Sequence, residues 1–320
     1  MIVAYIDEHR HRFGVEPICR VLAEHGVQIA PSTYRAHKAA GVSDADWEDA
    51  HNANAALEAW RANRSLYGAD KLATALNNAG HLGSNGRPLG RDQVARLMKI
   101  VGIEGISRGK HTTWTTRRDP AAPRHPDLVN RAWAIPSRPD QWWVADFTYV
   151  WTLAGFVYVS FVTDVFSRRI LGWRVSASKA TPLVMAALEQ ALFTRRRQNV
   201  RFTSNGLVFH TDAGSQYTAV SFTEALVEAG MAPSIGSVGD ALDNALQESA
   251  IGLFKTELIE HPERRHRTWT SRAEVERETA SWIHWYNTTR IHHSLGKRSP
   301  IEYEQSYFAA QPLAETGGLA

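Results

Sequence analysis

The chain has 320 residues, of which 43% are hydrophobic, and a formal net charge of only +3 despite a pI near 9.0. This composition excludes a largely disordered protein, leaves room for about two domains, and indicates local basic surfaces compatible with nucleic acid. The single cysteine, Cys19, excludes an internal disulfide and a cysteine-rich zinc knuckle, and neither a signal peptide nor an apolar run long enough for a bilayer is recognisable.

Residues 1–104 have the pattern of short helices separated by glycine turns. Apolar residues follow a helical stripe through 15–38, with a break at Gly26, and again through 55–78. A further helix is predicted in RDQVARLMKIVGI, residues 91–103. A helix, a glycine turn and a basic helix are typical of a helix-turn-helix motif. Any small helical bundle gives the same pattern, so DNA binding is one of two interpretations here.

Residues 105–140 are rich in proline and carry a basic run without acidic neighbours. This composition predicts an extended linker. The linker is either a solvated connector or an arm that follows the DNA backbone. In the second case, the side chains on phosphates would be Arg108, Lys110, Arg117 and Arg118.

From Gln141 the pattern changes to that of strands. WWVADFTYVWT and FVYVSFVTDV predict a hairpin, and RRILGWRVS predicts a third strand. Two short strands, VFHTD and APSIG, are predicted further along, and the helices are expected at 180–198, 221–230, 240–259 and 274–287. This order of elements predicts an α/β fold in which helices flank a mixed sheet.

Three carboxylates stand out among the 33 acidic residues. Asp146 lies within a strand, where an unpaired carboxylate is rare and costly to bury, although a surface-facing aspartate would fit the same pattern. Asp212 follows a strand and precedes Gly214, and ligand sites of open α/β sheets form at such strand ends. Glu248 lies within the predicted helix 240–259, where the alternative is a solvated helix face. Two strand-borne carboxylates and one helix-borne carboxylate can hold paired divalent metal ions that promote attack on phosphodiesters.

Other polar residues near these carboxylates receive different interpretations. Asp164 is predicted to organise the turn after its strand and to pair with Arg168 or Arg169. Asp240 and Asp243 are predicted to cap the following helix. His210 is either a packed histidine hydrogen-bonded within the sheet or a group that acts on a leaving oxygen.

Further residues are placed to contact nucleic acid. Asn244 and Lys255 share a helix face with Glu248, so that face offers one metal ligand and one phosphate contact. Ser215, Gln216 and Tyr217 follow Asp212 closely and could reach a nucleic-acid backbone.

Five motifs in the second half of the chain resemble those of the DDE transposases and integrases of the retroviral-integrase superfamily. These are DFTYVWT, FVYVSFVTDVFSRRILGW, HTDAGSQYTA, DNALQESAIGLFKTEL and WYNTTRIHHSLGKRSPIEYE. Within that superfamily they are most similar to the second-frame product of insertion sequences of the type-three family. The resemblance implies a ribonuclease H-like, mixed five-stranded sheet flanked by helices, preceded by a small all-α, helix-turn-helix-like domain. It places the three acidic ligands of the family on Asp146, Asp212 and Glu248, and its basic residue on Lys255.

The resemblance also implies a chemistry. Two Mg²⁺ ions, with Mn²⁺ as an effective substitute, would support nicking at the terminal inverted repeats and attack by the freed 3′-hydroxyl on a second phosphodiester, without a covalent enzyme intermediate. Asn244 and Gln216 would position the strand. Arg290 would contact DNA with Tyr286, Asn287 and His293, or would instead lock the last helix to the sheet. The competing hypotheses are a nuclease of the same fold that only hydrolyses, and a DNA-binding protein whose site has lapsed.

The predicted organisation follows from these motifs. Residues 1–104 form the helix-turn-helix-like region, 105–140 the linker, 141–305 the catalytic core and 306–320 a C-terminal tail. The implied partners are double-stranded DNA at the element ends and the target, further copies of the chain assembled on that DNA, and a first-frame product or a fusion with it. The expected location is the bacterial cytoplasm, at the nucleoid.

Overall fold

The computed structural model of the chain describes residues 2–83, 85–106, 136–212, 214–235, 245–264 and 268–311. These residues form two compact units. The first unit lies within Met1–Ala62 and Gly68–Glu104, and the second lies within Asn63–Tyr67 and Gly105–Ala320.

The described part of the first unit is helical, as the sequence predicts. Its helices are α1 (Ile2–Phe13), α2 (Val15–Glu24), α3 (Pro31–Ala39), α4 (Asp44–Ala62), α5 (Ala69–Asn78) and α6 (Arg91–Val101). The first three pack around Ile6, Ile18 and Tyr34. The stripe through 15–38 forms α2 and α3, and the basic helix predicted at 91–103 is α6. Helix α1 was not predicted.

The stripe through 55–78 is not one helix, and this corrects the sequence interpretation. The chain leaves helical geometry after Ala62 because Arg64 and Ser65 adopt left-handed backbone angles, with φ of 61° and 57°. Residues Asn63–Tyr67 belong to the second unit. Leu66 lies within the predicted stripe, but it belongs to this segment and not to α4 or α5.

The second unit contains a five-stranded sheet. Its strands are β1 (Trp142–Thr152), β2 (Gly155–Asp164), β3 (Ile170–Ser176), β4 (Val208–Thr211) and β5 (Ala232–Ile235), in the order β3-β2-β1-β4-β5. The strands β1, β2 and β3 are antiparallel neighbours, whereas β4 is parallel to both β1 and β5. The mixed sheet that we predict is confirmed, and so is the hairpin at its start.

Five helices are described in the second unit. They are α7 (Thr181–Gln198), α8 (Val220–Glu228), α9 (Ala245–Phe254), α10 (Arg272–Thr288) and α11 (Pro300–Ala309). The helix predicted at 240–259 is α9 followed by a π-helical turn, Lys255–Ile259, and residues 240–244 lie outside the described part of the chain. Helix α11 was not predicted, and it extends beyond the boundary that we place at residue 305.

The two faces of the sheet have separate apolar cores. On one face, α7 and α8 pack on a cluster that includes Trp143 and Phe209. Helix α7 lies so close to β3 that a Cβ on Gly172 would fall 2.0 Å from the carbonyl oxygen of Ala187. On the opposite face, α9 and α10 contribute rings that pack against the sheet. The rings of Phe161, Phe254 and Trp282 lie 5.1 to 6.5 Å apart in edge-to-face contacts.

A buried network of charges joins the turn after β2 to α7 and α11. Glu304 of α11 accepts hydrogen bonds from Arg169, at 2.7 Å, and from both terminal nitrogens of Arg195, at 2.9 and 2.6 Å. The Ser167 hydroxyl oxygen lies 2.7 Å from Glu304 and 2.8 Å from Asp164, and its one proton is donated to one of these carboxylates at a time. Arg195 also pairs with Asp140 at 2.6 Å. Each of these charges has an opposite partner, which a buried charge requires.

Asp164 has the structural role that we predict, but with a different arginine. Its carboxylate accepts hydrogen bonds at 2.8 Å from both the backbone amide and the hydroxyl of Ser167, and its ion-pair partner is Arg195, at 3.5 Å, rather than Arg168 or Arg169. Complete burial raises the pKa of Asp164 to about 6, although Arg195 opposes this shift.

The segment Asn63–Tyr67 is tied into the second unit by polar contacts. The Tyr67 hydroxyl accepts a hydrogen bond from the backbone amide of Ile291 at 2.8 Å, and Tyr67 is only 1% exposed. The backbone oxygen of Arg64 lies 2.8 Å from Nε2 of His261. Burial raises the pKa of Tyr67 to about 12, so its hydroxyl stays protonated.

The helices in the described ranges include none with the length and apolar content needed to cross a membrane.

Candidate active site

The register of the sheet places Asp146 and Asp212 side by side. The parallel pairing of β1 with β4 ends at Ala145 and Thr211, and the two aspartates are the next residues along the chain, Asp146 within β1 and Asp212 just past β4. Neighbouring strands lie about 4.8 Å apart, so the two carboxylates emerge at the same edge of the sheet. Beyond this point β4 no longer flanks β1, which opens a gap at that edge. Asp146 therefore lies within a strand and Asp212 just past one, as the sequence predicts for each.

Asp146 is half-buried on the face of the sheet that carries α9. It stands opposite Phe161 of β2, and its carboxylate accepts a hydrogen bond of 2.7 Å from the backbone amide of Phe147. The pKa of Asp146 is raised to about 8, mainly by desolvation and also by the negative charges of Asp212 and Glu248, while the hydrogen bond from Phe147 and the charge of Lys255 oppose the shift. The charged groups that affect the pKa of Asp146 are therefore Asp212, Glu248 and Lys255, the three residues that we expect to share its site.

Asp212 retains an exposed side at the end of β4. Its carboxylate accepts a hydrogen bond of 3.1 Å from the backbone amide of Gly214. Desolvation raises the pKa of Asp212, and the hydrogen bond from Gly214 and the nearby His210 oppose that rise. A Cβ at Gly214 would lie 2.9 Å from the Asp212 carboxylate, so this position accommodates a glycine and the side chain of any other residue would displace the carboxylate.

His210 is packed within the sheet. It is 1% exposed, and its Nδ1 lies 2.9 Å from the Ser234 hydroxyl on β5. This geometry favours the interpretation of a packed histidine over that of a group acting on a leaving oxygen. Its effect on the site is electrostatic, because it lowers the pKa of Asp212.

Glu248 lies in the first turn of α9 with its side chain exposed. It is close enough to raise the pKa of Asp146, but it does not close over the two aspartates. Among the residues that the structure describes, no three histidine, cysteine, aspartate or glutamate side chains lie close enough together to hold a metal ion. Like charges repel, and an exposed glutamate can relieve that repulsion by extending into solvent.

Lys255 begins the π-helical turn that follows α9, seven residues after Glu248. Its ammonium nitrogen lies 5.3 Å from the centroid of the Tyr149 ring, in a cation–π contact. This contact holds the cation beside β1, on the strand that carries Asp146. Tyr149 was not predicted to have a role. The signal that could have identified it is its spacing of two residues from Trp151, which puts both rings on the same face of the predicted hairpin.

The residues after Asp212 differ in whether they can still reach the site. Tyr217 is 2% exposed and packs against Phe147 and Phe222, so the backbone contact that we predict for it is wrong. Gln216 is buried too, but it lies against Gly214 at the edge of the site. Its role in positioning a strand stays a prediction.

Three residues of the C-terminal motif are engaged inside the protein. Arg290 is 4% exposed, and its guanidinium donates hydrogen bonds of 2.5 to 3.0 Å to Glu257 in the π-helical turn. Asn287 bonds both the amide and the carbonyl of Ile170, so it fixes α10 to β3. Tyr286 is buried as well, and the predicted DNA contacts of these three residues are therefore wrong, because each is already engaged inside the protein.

Of the four residues assigned to DNA in that motif, His293 alone is exposed. Arg290 does lock an element to the rest of the unit, which is the alternative that we predict for it, but its partner is Glu257 rather than the sheet. The other predicted contacts and caps lie outside the described residues: Arg108, Lys110, Arg117, Arg118, Asp240, Asp243 and Asn244.

A β3-β2-β1-β4-β5 sheet with one aspartate inside β1 and a second just past the adjacent end of β4 defines the catalytic core of an integrase-type, ribonuclease H-like protein. Comparison with known families agrees. Two models described as integrase core domain match residues 136–241 and 229–300, and a model described as HTH-like domain matches residues 46–111. The helix-turn-helix-like character that we predict for the N-terminal region is thereby confirmed.

The chain is also similar to curated proteins along most of its length. It is 43% identical over 289 residues to a putative transposase for insertion sequence element IS986/IS6110 of Mycobacterium tuberculosis, covering 90% of this chain and 99% of that protein. It is 40% identical over 314 residues to the transposase for insertion sequence element IS629 of Shigella sonnei, covering 95% and 96%. The chain belongs to the family of insertion-sequence transposases with an integrase core, and it is a polynucleotidyl transferase.

Among solved structures, the catalytic core domain of HTLV-2 integrase in complex with magnesium is 14% identical with a TM-score of 0.41, covering 52% of this chain and 98% of that one.

Proposed function

We propose that Asp146, Asp212 and Glu248 bind two Mg²⁺ ions, and that this transposase uses them to cut DNA at the terminal inverted repeats of its element and to join the freed ends to target DNA. The observation that supports the proposal most directly is the register of β1 and β4, which sets Asp146 beside Asp212. Glu248 approaches from α9 and influences the same carboxylate.

The donor set fits a hard divalent cation. The charges of Asp212 and Glu248 contribute to the raised pKa of Asp146, and a divalent cation would favour the ionised carboxylate by supplying the missing positive charge. Carboxylate oxygens are the ligands that Mg²⁺ prefers, and Mn²⁺ accepts the same ligands. When bound, such ions activate the attacking oxygen and stabilise the leaving 3′ oxygen. The exposed position of Glu248 leaves its side chain free to close on the two aspartates.

The residues around the carboxylates are proposed to hold the DNA strand. Lys255, fixed beside β1 by the Tyr149 ring, is placed to contact a phosphate near the reacting bond. Gly214 lets a strand approach Asp212 closely, and Gln216 lies beside it. Asn244 and the basic residues of the linker are proposed as further backbone contacts. The reaction then needs no covalent enzyme intermediate, because the freed 3′-hydroxyl itself is the nucleophile of the second step.

The remaining parts of the proposal concern assembly. The HTH-like region, matched at 46–111, is proposed to bind the element ends. Since two ends must be joined in one event, we propose that several copies of the chain assemble on DNA, with the first-frame product or a fusion to it as a further partner. The relatives named above are transposases for insertion sequence elements, which agrees with this role.

A strand-transfer assay tests the proposal. A labelled duplex that carries the terminal inverted repeat of the element is incubated with the chain, a supercoiled plasmid and Mg²⁺. We expect the label to become covalently attached to the plasmid, no product in EDTA, and activity with Mn²⁺. Cut ends that never become joined would instead identify a nuclease that only hydrolyses.

A further inference from the structure

The turn of the β1–β2 hairpin carries an exposed aromatic surface that the proposed chemistry uses only through the contact of Tyr149 with Lys255. Tyr149, Trp151 and Phe156 are 56%, 57% and 49% exposed, and we call these three residues the hairpin patch. Their rings contact one another edge to face, with centroids 5.5 Å apart for Tyr149 and Phe156 and 4.8 Å apart for Trp151 and Phe156. Leu153, 72% exposed, extends the apolar surface at the turn. Contiguous exposed rings of this kind mark interaction sites.

The hairpin patch and the proposed active site meet at the edge of β1 that β4 leaves uncovered beyond Ala145. Tyr149 and Trp151 follow Asp146 by three and five residues on the same strand, β1. At about 3.4 Å per residue, their backbones lie roughly 10 and 17 Å along the strand from that of Asp146, and because side chains alternate along a strand they project from the opposite face of the sheet. Lys255, the proposed phosphate contact, sits over the Tyr149 ring. Lys255 therefore links the two faces, and a DNA strand that is held at Asp146 and passes around this edge of β1 meets the patch within a few nucleotides.

The charges around the hairpin patch favour a polyanion as its occupant. The hairpin between Asp146 and Asp164 contains no charged residue, and the charged residues from 165 to 188 are all basic. Two of these, Arg174 and Lys179, lie on and just after β3. The pairing of Tyr158 with Ser176 brings that end of β3 to the patch. A second copy of the same surface would set these cations and Lys255 against their own counterparts, so self-association through the patch is disfavoured.

We propose that the hairpin patch stacks on unpaired bases of the DNA strand that enters the active site. Aromatic side chains stack on any base, and the phosphates between those bases suit the neighbouring cations. Bases within a duplex already have both faces covered by their neighbours, so the patch can engage them only where the strands have separated. The inference rests on the proposed active site, because it assumes that the strand passes Asp146.

Equilibrium binding in the absence of divalent metal tests the stacking without any contribution from catalysis. The probes are a labelled duplex with a short single-stranded extension of thymidines, the same duplex with abasic nucleotides in the extension, and the blunt duplex. We expect the full chain to bind the thymidine extension about tenfold more tightly than the abasic extension, which corresponds to stacking on about one base. The two extensions have the same phosphates, so the ratio of their affinities reports on the bases alone.

Variants then assign the preference to the patch. Trp151→Ala should abolish the preference for thymidine over abasic nucleotides and leave the affinity for the blunt duplex unchanged, whereas Trp151→Phe should retain most of it. Phe193→Ala is the matched control, because it removes a ring that is 63% exposed on α7. It should behave like the unmodified chain. Thermal unfolding of each variant identifies any loss of folded protein.

Two outcomes would overturn the inference. One is equal affinity of the unmodified chain for the thymidine and abasic extensions. The other is a Trp151→Ala variant that keeps the preference for bases but loses self-association in sedimentation, which would identify the hairpin patch as a protein interface. Neither outcome would remove the metal-dependent joining activity, so failure of this inference is distinguishable from failure of the proposed active site.

Discussion

Individual residues show how far local sequence context determines a site. Asp146 and Asp212 were identified because a carboxylate is unusual within or directly after a hydrophobic strand, and the observed register brings them together. Arg290 could not be assigned in this way. Its partner, Glu257, lies 33 residues earlier in the chain, and the sequence does not reveal that α10 and the π-helical turn bury the pair. Burial by distant segments, rather than residue type, decides whether an arginine reaches DNA.

Lys255 provides a prediction at this scale. Lys255→Ala should weaken duplex binding and reduce the magnitude of the slope of log Kobs against log salt by about one, because one phosphate contact and its released counterion are lost. Fluorescence anisotropy with a labelled duplex over a range of salt concentrations measures the slope.

The control for this change is Arg197→Ala, at the C-terminal end of α7 and away from the hairpin. It should leave the slope unaltered. An unchanged slope in Lys255→Ala would show that this cation does not contact the DNA backbone.

Secondary-structure elements were predictable where their pattern is strong. The alternation in β1 and β2 and the stripe in α7 are long enough to identify the elements. Helix α11 was missed although its signal is local: Ser299 and Glu302 form a capping box, and Pro300 occupies the first helical position. The break after α4 gave no such signal, because the left-handed residues Arg64 and Ser65 are not glycines.

Close packing of α7 on β3 leads to a prediction for Gly172. Gly172→Ala should destabilise the protein by about 1–3 kcal/mol, because the added methyl group collides with the backbone of α7 at Ala187. Denaturant unfolding measures the change. Gly68→Ala is the control, since a Cβ there meets nothing within 4 Å, and this variant should lose only the modest preference for glycine over alanine at the N-cap of α5. Equal stabilities of the two variants would show that α7 can move away from β3 at no cost.

The buried charge network gives a second prediction for an element. Glu304→Gln should lower the free energy of unfolding by about 3–5 kcal/mol, because Arg169 and Arg195 would then lose the carboxylate that compensates their buried charge. Chemical denaturation followed by tryptophan fluorescence measures the loss. Glu228→Gln, on an exposed position of α8, should be neutral. A Glu304→Gln protein as stable as the control would mean that α11 contributes little to the catalytic unit.

At the scale of the whole molecule, domain boundaries drawn along the sequence do not coincide with the compact units. Asn63–Tyr67 lies between α4 and α5 and within the stretch matched by the HTH-like model, yet it belongs to the second unit. Composition locates a linker or a change of pattern, but it cannot show that five residues leave one unit to pack in another. The contacts of Tyr67 with the chain near residue 290 depend on tertiary structure alone.

Tyr67 tests that assignment. Tyr67→Phe should destabilise the catalytic unit by about 1–3 kcal/mol, because the buried amide of Ile291 loses its acceptor. Amide hydrogen exchange should show faster exchange around residue 291. Tyr5→Phe, on the exposed surface of α1, is the matched control and should change nothing there. Unchanged protection at Ile291 in Tyr67→Phe would contradict the assignment.

The most direct test of the central claim is the strand-transfer activity of proteins with single changes at the three carboxylates. Asp146→Asn, Asp212→Asn and Glu248→Gln should each bind the end-bearing duplex normally and lose at least about a thousandfold in the rate of Mg²⁺-dependent joining, equivalent to about 4 kcal/mol of transition-state stabilisation. Glu228→Gln should retain full activity. Full activity in any one of the three carboxylate variants would contradict the assignment of that residue to the metal site.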